Sequence, residues 1–216
     1  MIKFFRVLGI VGVAGILLCG CANTQTRSSV IPRKIICQGA YVHAGSQIVM
    51  PEEVTGYRRV AVLRYDNDGL DISAGYDLVN SSNHVAATVY VYPGPSMIAI
   101  GSPLEVVTGT KAELTEQEFA KRKQEIAQAH PGARLMDQGD IQRTEKGQMY
   151  TGRFAEFQFD TEFAFSQTTV RSRLYVFCFV GGKWAVEYRF TYPKSENADE
   201  AIQKFIDNWH WFGTAN

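Results

Sequence analysis

Cysteine is scarce in this chain, and half of it lies at the very start: Cys19 and Cys21, then only Cys37 and Cys178. That excludes the disulfide-dense class of small secreted scaffolds. Long apolar runs are also missing. The longest uninterrupted one, Val7 to Leu18, is shorter than the roughly 20 residues a spanning helix needs. No sign of charge dominates, with 22 basic and 22 acidic residues, and no basic tract is present to grip a phosphate backbone. Nucleic acid is therefore not an expected partner. There is no internal repeat and no low-complexity segment. No G-x-S-x-G elbow, Walker loop, S-x-x-K or H-E-x-x-H occurs. Ser73 and Ser96 have no recognisable base nearby in sequence, and without one a serine hydroxyl is a poor nucleophile. His43, His84, His130 and His210 stand at no metal-ligand spacing with one another or with cysteine or carboxylate. No cofactor, no metal and no catalytic residue is expected.

What the chain does have is an export signal. Lys3 and Arg6 precede the apolar run, with no acid among them, and a small residue follows it. A positive start, a short apolar stretch and a small-residue exit make a secretory leader. The exit reads Leu18-Cys19-Gly20-Cys21. It resembles the lipobox of bacterial lipoproteins: a branched apolar residue, a variable one, a small one, then cysteine. The resemblance implies cleavage after Gly20 and lipid on the Cys21 sulfur and on the new amino terminus. Two or more acyl chains would anchor the protein stably, at about 0.8 kcal/mol per buried methylene. Cys19 fits less well, because Leu18 would then occupy the small-residue position. By resemblance to sorting in enteric bacteria, Ala22 rather than Asp after the lipidated cysteine leans toward the outer membrane, facing the periplasm.

Residues 1–20 are thus read as leader, 21–33 as lipidated cysteine plus tether, and 34–216 as one domain. Residues Ala22 to Ser29 are polar and small, as a flexible tether should be. Loss of Lys3 and Arg6 leaves 20 basic against 22 acidic residues, a net charge of −2. In an exported protein Cys37 and Cys178 have two readings. They form a disulfide, worth up to roughly 5 kcal/mol for so long a loop, or Cys178 is a buried thiol in a core strand and Cys37 is unpaired.

Hydrophobic alternation predicts most of the domain as strand. Lys34–Cys37 is a short first strand, followed by Tyr57–Tyr65, Leu70–Tyr76 and His84–Tyr92. Asp66-Asn67-Asp68-Gly69 is a hairpin turn. Its acids, with Asp71, also invite a calcium reading, but lack the EF-hand glycine and distal Glu. Met97–Thr110 mixes aliphatics with glycine and proline and reads as a loop with a short strand. Thr115 and Glu118 make a capping-box signature for a helix over Glu116–Ala129. Lys121, Arg122 and Lys123 are assigned to its solvated face, with an anionic lipid contact as the sharper reading. Strands follow near Arg134–Arg143, Met149–Asp160, Thr168–Val180 and Lys183–Tyr192. Ser195 or Asn197 caps a last helix, with an apolar stripe through Ile202, Phe205, Ile206 and Trp209, closed by Gly213.

The expected fold is α+β: a mostly antiparallel sheet of about six to eight strands with a middle and a C-terminal helix packed on it. This order resembles the α/β/α sandwich of PsbP- and Mog1-like proteins, a pattern that implies no function. Tyr90, Tyr92, Tyr175, Phe177, Phe179, Trp184, Tyr188 and Phe190 are chiefly core, and any left exposed would mark a binding patch. The expected function is a membrane-anchored envelope protein that binds a small ligand or an envelope protein without catalysis. The alternatives are a lipid-anchored hydrolase and a purely structural part of a larger complex.

Overall fold

In a computed structural model the described residues are 31–79, 81, 83–95 and 110–212. The leader, Gly20, Cys21, most of the tether, Met97–Gly109 and Gly213 lie outside them. The domain is α+β, with a nine-stranded antiparallel sheet and two helices. The larger strands are β5 (Tyr57–Arg64), β6 (Ile72–Leu78), β7 (Ala86–Pro93), β8 (Arg134–Glu145), β9 (Gln148–Phe163), β10 (Ser166–Val180) and β11 (Trp184–Pro193). Short β1 (Arg33–Ile35) and β4 (Glu53–Val54) share the outer edge of β5. A separate pair, β2 (Tyr41–Val42) and β3 (Val49–Met50), stands apart. The sheet order is β1-β5-β6-β7-β11-β10-β9-β8. Two meanders, β5 to β7 and β8 to β11, therefore join side by side along β7 and β11. β8 ends the series and is the sheet's second edge.

Strand alternation sorts side chains into two cores. On one face Val89, Val91, Val186, Tyr188, Phe190 and Phe177 meet Ile202, Phe205, Trp209 and Trp211 from the C-terminal segment. That segment includes α2 (Asp199–Asn208). On the other face Ala155, Phe157, Phe159, Leu174, Val176 and Cys178 meet Phe119 and Ile126 of α1 (Lys111–Ala129). One helix thus covers each face of the sheet.

Both helix starts differ from expectation. α1 begins five residues earlier than predicted, because the capping box is built by Thr110 and Glu113. Thr110 Oγ1 accepts from Glu113 N–H at 3.2 Å, and Glu113 Oε2 accepts from Thr110 N–H at 2.6 Å. Thr115 lies inside the helix and donates its hydroxyl to the Lys111 carbonyl. At α2, neither Ser195 nor Asn197 is the cap residue. The Asn197 side-chain oxygen accepts from Asp199 N–H, and Ala198 is the cap residue. The Asp66 turn is as its residues dictate: the carboxylate accepts from the N–H groups of Gly69, Leu70 and Asp71. With both oxygens bonded to backbone, the calcium reading loses its principal ligand.

The solvated-face assignment of residues 121–123 fails at its centre. Arg122 is 3% exposed and reaches through the α1 layer to Glu187 on β11. Two further departures from regularity matter below. The β9–β10 turn is formed by Ala164 (φ +50°) and Phe165 (φ +66°), both left-handed. That conformation costs an ordinary residue about 1–2 kcal/mol, and two-residue turns of this kind favour Asn-Gly. The second is a bulge in β10 between Phe177 and Val180, with Phe179 at φ +61°.

Candidate functional site

The bulge borders a groove at the start of α1. An extra residue in one strand re-aims its neighbours, and Phe179 here turns toward the first turn of α1, its ring 5.4 Å from Lys111 Nζ. The resulting groove, about 610 Å³, runs between the start of α1 and the β8–β9 hairpin. Its lining combines apolar Met149, Cys178 and Phe179 with charged Lys111, Asp140 and Arg153. Met149 is largely exposed. Arg153 is held in place by Glu116 (2.9 Å) and by Asp140. Burial pushes the Cys178 thiol up to about 12, with Glu118 adding in the same direction. It is therefore a protonated apolar contact and no nucleophile.

A second cavity of about 370 Å³ lies at the same end of the sheet, on the α2 face. Its buried acid is Glu145. One carboxylate oxygen accepts from Arg143 Nη2 at 2.9 Å, and the other lies 3.4 Å from His210 Nδ1. Arg143 also ties down the end of α2, donating to the carbonyls of Ile206 (2.7 Å) and Trp209 (2.6 Å). The His210 side chain is half-exposed. A carboxylate that orients an imidazole is one half of a general-base arrangement, and the sequence reading passed over it because Glu145 and His210 are 65 positions apart.

The other sequence candidates are dispersed. His43 is fully buried, edge-on to Trp184, and takes the Ser46 N–H on its Nδ1. Burial lowers its pKa. His84 pairs with Glu196 at 3.0 Å, and His130 stacks on Phe159 at 4.0 Å. Of the eight aromatics singled out in the sequence, Tyr92, Tyr175, Phe177, Trp184, Tyr188 and Phe190 are core; Tyr90 and Phe179 are half-buried, and of these Phe179 lines the groove. Ser73 is buried and bonded to the Tyr65 hydroxyl, and Ser96 lies outside the described residues. Among the described residues no group of three or more His, Cys, Asp or Glu is placed to hold a metal ion.

Of the two readings for Cys37 and Cys178, the structure has the second: both are free thiols, and Cys178 is buried. They pack into different cores, Cys37 on the α2 face and Cys178 on the α1 face, so the sheet itself lies between them. Native alkylation should therefore label Cys37 readily and leave Cys178 unlabelled until the domain unfolds. Equal labelling rates at both sites would contradict this placement.

No protein-family model matches this chain, and no curated protein matches it.

Proposed function

We propose that this chain is a lipid-anchored envelope protein whose domain binds a ligand or partner without transforming it. The observation that carries the reading is the Leu18-Cys19-Gly20-Cys21 exit after a short apolar run. Its placement of lipid on Cys21 leaves a 12-residue link to Arg33, at most about 40 Å when fully extended. Among the described residues no helix is long and apolar enough to cross a membrane. By the enteric-type sorting pattern that Ala22 after Cys21 resembles, the address is the outer membrane, facing the periplasm.

The groove fits recognition: apolar Met149 and Phe179, charged Lys111, Asp140 and Arg153, and an inert thiol line it together. Cys21→Ser tests the anchor. The variant should carry no fatty-acid label and should escape the lipoprotein peptidase. A variant that is still labelled and matures normally would overturn the reading.

One observation favours the second reading, a lipid-anchored hydrolase: the Glu145–His210 pair at the 370 Å³ cavity. Purified Ala22–Asn216 should turn over none of a panel of ester, peptide and glycan substrates. Turnover that His210→Ala abolishes would favour the hydrolase instead.

A further inference from the structure

The β9–β10 hairpin outruns the sheet that supports it. On one side β8 begins at Arg134, opposite Gln158; on the other β11 ends at Pro193, opposite Val170. Lys194 N–H still bonds the Thr169 carbonyl. Beyond that only the rungs Thr168↔Thr161, Gln167↔Glu162 and Ser166↔Phe163 remain, a two-stranded arm. At about 3.3 Å per residue it projects about 10 Å. Its tip is Phe165, 76% exposed and held in a left-handed conformation.

An exposed phenylalanine at a strained tip calls for a reason, because Asn-Gly would close the same turn without strain and without an apolar ring. We propose that Phe165 is a docking knob, and that its occupant is an envelope protein offering an apolar pocket rimmed by Lys or Arg. The charge of the arm selects that occupant. Glu162 lies on the arm and Asp160, opposite Thr169, at its base, and no basic residue occurs from Phe159 to Val170. An anionic bilayer surface would repel such an arm, and a second copy would bring like charges together. Position points the same way. Pairing runs from Arg33, where the tether enters, through Arg64, Ile72, Val91 and Val186 to Phe177. Phe165 stands 12 residues further along β10, about 40 Å of strand, at the opposite rim. The inference takes only the cellular address from the lipid-anchor reading.

A photo-crosslinking phenylalanine analogue placed at position 165 of the full chain, irradiated in intact cells, tests it. The same analogue at Val60, also exposed but on the sheet, is the control. The expected result is one discrete adduct with a second polypeptide from position 165 and none from Val60. Asp160→Lys with Glu162→Lys should reduce that adduct at least tenfold while leaving the melting curve in place. With the analogue moved to Ser166, replacing Ala164-Phe165 by Asn-Gly should keep the fold and lose the adduct. An adduct of phospholipid mass, an adduct of twice this chain's mass, one indifferent to the charge reversal, or no adduct would each overturn the proposal. An adduct that persists while Cys21 proves unlipidated would sink the anchor and keep the arm.

Discussion

Arg122→Ala should destabilise the domain by about 3–5 kcal/mol, the cost of removing one partner from a buried ionic cluster. Arg122 bonds Glu118 through Nε at 2.6 Å and Glu125 through Nη1 at 2.6 Å, and lies 3.6 Å from Glu187. Its guanidinium rests 4.5 Å above the Tyr92 ring. Burial opposes its charge, but Tyr92, Glu187, Glu118 and Glu125 more than offset that, and its pKa is raised. Glu187 is fully buried and shared between Arg189, the Tyr92 hydroxyl and Arg122. Without Arg122, Glu118 loses this ion pair, Glu125 and Glu187 keep theirs with Arg189, and Glu187, fully buried, cannot turn to water. The replacement pair Arg122→Met with Glu187→Leu should lose less than Arg122→Ala alone, since it removes the fully buried carboxylate together with this arginine and leaves Arg189 paired with Glu125. Urea unfolding of the wild type, the single variant and the pair measures both. A single variant within 1 kcal/mol of wild type would show that the cluster is solvated.

Trp209→Ala should cost about 3–5 kcal/mol as well, for a different reason. Its indole is fully buried, edge-on to Tyr188 at 5.7 Å, with Nε1 donating to the Tyr76 hydroxyl at 3.4 Å. Truncation opens a cavity among rings that cannot collapse into it. Against a total stability of 5–15 kcal/mol typical of domains, that is a large share. Thermal melting should show a fall well beyond that of Ile202→Val, which removes one methyl from the same core. A melting point unchanged from wild type would contradict the packing.

The sheet was legible because its strands alternate. The β10–β11 hairpin follows from Leu174, Val176 and Cys178 against Tyr175 and Phe177, and α2 from its apolar spacing. Hidden from the sequence were features decided by contacts across the chain. Arg122 sits in a run of three cations that resembles an exposed stripe, and its burial depends on Glu187, 65 positions away. Two Thr-x-x-Glu signatures compete for the start of α1; Thr110 with Glu113 makes both bonds, and Thr115 lies one turn inside the helix. The groove depends on a bulge at Phe179, which leaves no trace in alternation. Cys37 and Cys178 left two readings open because spacing does not say which face of a sheet a residue occupies. Phe165 fell in the gap between the predicted strands Met149–Asp160 and Thr168–Val180; both strands run further than predicted, and only the unflanked rungs around Phe165 turn it into a tip.

The account stands or falls on what is attached to Cys21. The most direct measurement is the mass of the mature amino-terminal peptide from protein purified out of membranes. It should begin at Cys21 and carry a diacylglyceryl thioether with an acylated amino terminus. A mature chain beginning at Ala22, or an unmodified Cys21 on membrane-bound protein, would contradict it.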